Sequence, residues 1–334
     1  MRRIASVCLV IVAAASVAMV SAGGRPRSNN TFGVGTVFLP NPVAELGNQS
    51  LTDQSDADYA ALAPAYHDAV LTNLDGSGLL VGDWAQVVSE TGDPAYSATN
   101  DFRYHRTDDR FEQVMAYYWI TEAQKYIQSL GFGSSRRAVN KKSQRVRLNQ
   151  WGRDNSFASD TKDEMRFGKG GVDDGEDAEV ILHEYGHAIH FSQNFSFATE
   201  EAGAISEGFG DYWAVTVSSL VAPTPDPACV ADWDSVEYTR APHCLRRVDT
   251  NLRYPQDLRG EVHWDGQIWS RALWDIRQAV GHVKADTLIL QAQFDFPGTS
   301  MRDLATATVN TAKALYGNGV AQQVRSAFVN RGLQ

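Results

Sequence analysis

His183-Glu184-Tyr185-Gly186-His187 is the stretch from which the rest of this chain can be read. Its two histidines are four residues apart, so on a helix they leave the same face, about 40° apart. Two imidazole nitrogens are thereby presented to one metal ion. Glu184, one position further round, points at a water on the open side of that metal, where a carboxylate serves as general base. Five residues recur by chance, so the reading needs a third ligand; a catalytic zinc takes three from the protein and keeps a water. Downstream lies Ala204-Ile205-Ser206-Glu207-Gly208-Phe209-Gly210-Asp211, which reads as a second helix. Glu207 and Asp211 are i and i+4 and share a face. Glu207 completes a set of two histidines and one carboxylate, and Asp211 can accept the outer ring N–H of a ligand histidine and hold its tautomer. An acidic pair on a helix is ordinarily a solvated face; the histidine helix before it favours the ligand reading. Gly208 and Gly210 allow the two helices to approach closely.

With Glu207 twenty positions after His187 and Asp211 four after that, the set resembles the gluzincin metallopeptidases, and among them the thermolysin-like and fungalysin-like enzymes. Three further stretches match in the same order. Asp154-Asn155-Ser156-Phe157 with Phe167-Gly168 resembles the hairpin lining the substrate cleft. Gly260-Glu261-Val262-His263 resembles the stretch carrying a transition-state histidine. Phe111 to Phe132 resembles the helix that opens the catalytic domain. The resemblance runs from about Phe102 to the C-terminus. It implies an α+β fold of two lobes, strand-rich at the N-terminus and mainly helical at the C-terminus, with zinc in the cleft between them.

It also implies a secreted zinc-dependent endopeptidase holding one zinc per chain on His183, His187 and Glu207. Glu184 would take the proton of the attacking water and pass it to the leaving amine, and His263 would stabilise the oxyanion. By the same resemblance Asn155 and the backbone at Ser156 hold the peptide on either side of the scissile bond. Val180, one turn before His183, faces the pocket for the residue after that bond, which implies an apolar preference there. The chain departs from the family in places. Where the family has a Tyr after the metal helix, this sequence reads Phe195-Ser196-Phe197-Ala198. The substrate-gripping Arg has no fixed counterpart, with Arg253 and Arg259 as candidates, and Asp257, a candidate to orient His263, sits one position too far upstream. Calcium is held by many thermolysin-like enzymes; here Asp173-Asp174-Gly175-Glu176-Asp177 offers carboxylates, but the family's ligand set is not recognisable and calcium is left open. The rival reading is a catalytically decayed, zinc-containing peptide-binding protein, favoured by the missing Tyr and opposed by Glu184 with His263. A hairpin-docking adhesion or inhibitor protein is the other rival.

The 334 residues, 43% of them hydrophobic, suffice for one large or two modest cores. Arg2-Arg3, the apolar run Ile4 to Val20 and the small-residue site Val20-Ser21-Ala22 read as a cleaved signal over residues 1–22. A membrane anchor is the alternative, since such a run approaches a minimal span. The mature protein is then exported, with no stable membrane association, and is expected to be a monomer acting on proteins or peptides. A formal charge of −10, more negative still once Arg2 and Arg3 are removed, argues against nucleic acid as a partner. Signal removal takes Cys8 and leaves Cys229 and Cys244, an even pair that suggests one disulfide in an exported chain.

Residues 23–101 read as an N-terminal strand-rich segment of the mature enzyme, the alternative being a short inhibitory prosegment, and 102–334 as the catalytic domain. Val37 to Leu39, Leu79 to Val81 and Ala85 to Val88 read as strands, and Ala69 to Leu71 as a strand or a helix end. Phe111 to Gln128 is helical by its spacing, ended by Gly131. The basic run Arg136 to Arg147 reads as a solvated strand and loop. Asn155–Ala158 and Met165–Gly168 read as a hairpin whose edge can pair with an extended peptide. Gln267 to Val280 reads as a helix with His263 just ahead of it, followed by packed helices from Ala285, with Thr299 or Ser300 as a cap.

Overall fold

The computed structural model describes residues 31–88 and 93–334, so the expected signal segment and Cys8 lie outside the described residues. The N-terminal part opens with β1 (Gly33–Val37). Asn41 then accepts the Ala44 N–H and Pro42 fills the first turn of α1 (Pro42–Leu46). β2 (His67–Leu71), β3 (Ala85–Val87) and β4 (Asp101–Phe102) follow. β1 pairs antiparallel with β2 and parallel with β4. Leu79 to Val81, expected as a strand, makes only isolated bridges to Tyr96 and Gln86, because the left-handed Gly76 and Gly78 turn the chain just before it.

Beneath these strands lies α2 (Arg110–Ser129), its Phe111, Met115, Trp119, Ile120 and Ile127 wholly buried. Phe38 packs edge-on against Phe111 at 4.8 Å, and its carbonyl accepts the Trp119 indole N–H. Phe38, Leu71, Leu80 and Phe102 therefore share one core with α2, while Val43, Leu51 and Leu62 pack in a second cluster with Val172, Trp233 and Val236. A four-stranded sheet adds β5 (Gln144–Arg147), β6 (Phe157–Ser159) and β7 (Glu164–Arg166) in the order β3-β5-β7-β6. β6 is the edge strand, antiparallel to β7, and sits over the cleft. The basic run is only partly solvated. Because β5 is an inner strand, its alternate side chains turn inward, and Arg147 is buried with its Nε 2.8 Å from Glu164.

The C-terminal part is helical. Asp177 caps α3 (Ala178–Ser192) and Thr199 caps α4 (Glu200–Val221), each through its side-chain oxygen. A small ribbon of β8 (Cys229–Val230) and β9 (Arg246–Arg247) is closed by the Cys229–Cys244 disulfide, Cα–Cα 5.6 Å. α5 (Val262–Val280), α6 (His282–Ala292) and α7 (Met301–Asn330) complete the chain, with Ser300 capping α7 and a break in its helical backbone at Gly317. α5 begins five residues earlier than its periodicity suggested. Glu261 accepts the N–H groups of His263 and Trp264 and so starts the helix there, placing His263 in the first turn.

α4 is the central helix, held between α3 and α5 by glycines. A Cβ on Gly186 would lie 2.9 Å from Gly210 Cα, and one on Gly208 would strike the Gly266 carbonyl. The two α4 glycines therefore serve different neighbours, Gly210 facing α3 and Gly208 facing α5. The result is an α+β architecture: strands and α2 on one side, helices on the other, and α3 running along the cleft between them.

Candidate active site

α3 and α4 bring His183, His187 and Glu207 together, with one ligand atom of each within 4.8 Å of the others. His183 Nε2 lies 3.2 Å from Glu207 Oε2, and His187 Nε2 lies 3.5 Å from Glu207 Oε1. Each histidine is held from behind through Nδ1. His183 Nδ1 is 2.9 Å from Asp211 Oδ1 and donates to that carboxylate; against the pull of burial, Asp211 and Glu207 raise the imidazole to about 10, so Nε2 serves as a ligand once a bound cation displaces its proton. His187 Nδ1 is 2.8 Å from Ser206 Oγ, which is also 2.9 Å from His190 Nδ1. A hydroxyl has one proton, so Ser206 accepts from His187 and donates to His190 when His187 presents Nε2 as a ligand. Gly210 supplies the floor: a Cβ there would lie 2.7 Å from the His183 ring. Close helix packing is thus what lets the imidazole lie flat against α4.

The electrostatics follow from these contacts. Against the pull of burial, His187 and His183 hold the Glu207 carboxyl well below the carboxylate range. Burial likewise opposes Asp211, but Arg246 and His183 hold it at about 2. Burial lowers His187 to about 4, so it is neutral. Glu184 is 6% exposed, and burial pushes it up to about 7 against the pull of His183. Its Oε2 has no hydrogen-bond partner among the described residues, whereas Oε2 of Glu207 faces the imidazoles of His183 and His263. Convergent Nε2 atoms and the donor chemistry of two imidazoles and a carboxylate fit a zinc ion with an open position.

His263 reaches the same place from α5. Its Nε2 is 3.4 Å from Glu207 Oε2 and its Nδ1 is 2.6 Å from Glu261 Oε1. Glu261, not Asp257, therefore orients it; the Asp257 carboxylate accepts the Arg253 N–H instead. Arg253 and Arg259, the candidates for gripping substrate, do not line the cleft, Arg259 lying over the Trp264 ring. Arg246 does line it, with Nε 2.8 Å and Nη2 2.7 Å from the two oxygens of Asp211. The sequence reading missed Arg246, Ser206, His190 and Glu261. His190, three residues past His187 on the same helix, and Ser206, next to Glu207, carried a spacing signal; Arg246 on a two-residue strand carried none.

Asn155, Ser156 and Ala158 line the cleft beside Glu184, and the Ser156 hydroxyl donates to Asp174, leaving its backbone for other partners. Val180 lines the neighbouring cavity with Val230, Ala231 and Leu245. Phe191 and Phe197 line the other end, where the resemblance looked for a Tyr. Tyr238 is the tyrosine in the cavity wall, and its hydroxyl donates to Asp234. The acidic run before α3 is not a single ligand set. Glu176 bonds Arg106 and Trp233, while Asp177 bonds Asn41 and backbone N–H groups. Among the described residues, the second convergent group of possible ligands is Asp154, Asp174 and Asp234.

Comparison with known proteins defines the class first. The solved structure described as "Precursor of Protealysin, Metalloproteinase from Serratia proteamaculans" superposes with a TM-score of 0.61 over 75% of this chain and 88% of that chain. At 17% identity this shows the fold, which is that of a thermolysin-like metallopeptidase. Residues 169–330 match the model of the Fungalysin metallopeptidase (M36) family. Gelatinase of Enterococcus faecalis is 24% identical over 190 residues, 51% of this chain and 36% of that protein, so the chain matches about a third of that relative's length. The match to the fungalysin family covers the stretch that holds His183, His187 and Glu207.

Proposed function

We propose that this protein is a secreted, monomeric zinc endopeptidase that cuts protein or peptide chains bound along the edge of β6. The observation that carries the reading is the free oxygen of buried Glu184 beside the three convergent ligands His183, His187 and Glu207. A zinc ion bound by those three would supply Lewis acidity toward the scissile carbonyl and acidify a water. Glu184, with a carboxyl near neutrality, takes the proton of the attacking water and hands it to the departing amine. His263, oriented by Glu261, donates to the oxygen that becomes negative. Asp211 keeps His183 in its ligating tautomer and in turn fixes Arg246 in the cleft.

An extended peptide would pair with β6, whose outer edge is unpaired in its sheet, with Asn155 and the Ser156 backbone on either side of the cut bond. The residue after that bond would pack its body on Val180, Val230 and Leu245, which supports a pocket with apolar walls. The described residues of the N-terminal segment act as part of the mature fold, supported by the core that Phe38, Leu71 and Leu80 share with α2.

Glu184→Gln tests the reading. Casein hydrolysis should fall at least about 100-fold, with zinc near one per chain in both proteins by atomic absorption. Equal zinc with no hydrolysis by the parent would favour the decayed, peptide-binding alternative.

A further inference from the structure

The cavity that leads away from His183 and Glu184 past Val180 has a volume of ≈ 170 Å³ and an unusual chemistry for a side-chain pocket. Its walls are apolar, formed by Val180, Val230, Ala231 and Leu245. Its lining is also acidic, with Asp154 exposed and two further aspartates buried. Asp154, Asp174 and Asp234 place one carboxylate oxygen each within 4.8 Å of the others. Asp174 is only 2% exposed, yet its Oδ1 has no hydrogen-bond partner; Oδ2 takes the Ser156 hydroxyl and, at 3.4 Å, the Gly168 N–H. Asp234 is 4% exposed and receives the Tyr238 hydroxyl.

Glu179 also lines the cavity, but Ser218 and the Ala231 N–H occupy its two oxygens. The cation in the wall, Arg246, is committed to Asp211. Burial pushes Asp174 up to about 7, with Asp154 adding to it, and burial likewise raises Asp234. Buried carboxylates so placed lack a positive partner. A lysine or arginine side chain has the matching form, an apolar stem ending in a cation.

We propose that this cavity is a cation-selecting subsite, in which Asp174 and Asp234 receive the ammonium or guanidinium of a lysine or arginine following the scissile bond. This rests on the peptidase reading for the direction of the bound chain. It replaces an apolar preference at that position by a basic one, with the apolar walls serving the stem. The unpaired Oδ1 of Asp174 is the acceptor it would satisfy, and the acidic cluster gives arginine two carboxylates to bridge.

The test reads binding as well as turnover. Zinc-loaded Glu184→Gln protein is titrated with fluorescent peptides identical except for lysine, arginine, Nε-acetyl-lysine or norleucine at one position. The same peptides are digested by the parent. Lysine and arginine peptides should bind about tenfold or more tightly than the norleucine peptide, and acetylation should remove that advantage. Asp174→Asn added to Glu184→Gln should reduce the ratio to within about threefold, and Asp234→Asn should do the same if one variant fails to fold. Equal or tighter binding of norleucine, or no binding of any peptide, overturns the proposal. So does a second metal ion per chain, calcium on chelator-buffered dialysis, that is lost in Asp174→Asn while no lysine preference exists. Lysine-selective binding with no cleavage by the parent would leave this inference standing and remove the peptidase reading.

Discussion

Two groups of buried carboxylates flank the same helix, and they behave in opposite ways. On the α4 side of α3, Glu207 and Asp211 are held low because imidazoles and Arg246 face them. On the strand side, burial pushes Asp173 up to about 8 and Asp174 and Asp232 to about 7, and neighbouring carboxylates add to the rise. Residue type and burial are alike; what differs is the supply of positive charge. One side keeps its carboxylates ionised, as the proposed ligand and orienting roles require. The other is protonated or in want of a cation, with Arg106 carrying much of the load between Asp53 and Glu176.

The comparison can be broken most severely at Arg106. It is 1% exposed, so Arg106→Met leaves Asp53 and Glu176 buried without their counter-charge and should cost about 3–5 kcal/mol in urea unfolding of the Glu184→Gln protein. A loss below about 1 kcal/mol would show that these carboxylates are neutral in the folded protein. On the other side, Gly210→Ala should cost about 1–3 kcal/mol by forcing α4 off the His183 ring, with zinc bound more weakly in the same preparation. Unaltered stability and zinc content would mean that the ring has room to shift.

Asp211→Asn is the finer probe of the ionised side. Losing the acceptor behind His183 should weaken zinc about 10- to 100-fold in competition with a chelator. On the strand side the expected effect is smallest and depends on pH. The folded pKa values of Asp173, Asp174 and Asp232 are raised above their unfolded ones, so the folded protein holds protons that the unfolded chain has released. Their contribution is therefore most favourable below the unfolded carboxylate pKa and is lost as pH rises through about 8. Asp173→Asn should flatten the fall in stability between about pH 7 and 8 by about 1 kcal/mol. An unchanged slope would remove Asp173 from the account.

This contrast was only half legible in the sequence. The helical spacing of His183 to His187 and of Glu207 to Asp211 put each pair on one face; single strands and helices could be read from turn signals and periodicity, while the α+β order came from the family resemblance. The helix start at Val262 was harder, because Glu261 acts through its side chain and Gly266 interrupts the pattern. What brings Asp154, Asp174 and Asp234 together could not be read at all. They come from a loop, a short 3-10 turn and a second 3-10 turn far along the chain, with no period to relate them. Arg246 was hidden for the same reason: a two-residue strand in a long irregular stretch carries its position only through its ladder to β8.

That ribbon ties catalysis to geography. The Cys229–Cys244 bond closes the loop that delivers Arg246 to Asp211, and Asp211 in turn steadies His183. Such bonds form and persist outside the reducing cytosol. If the chain is exported as proposed, a newly made copy still awaiting export would have α3 and α4 but only a two-rung ladder to hold its arginine in place. The destination, rather than a separate inhibitor, would then finish the cleft.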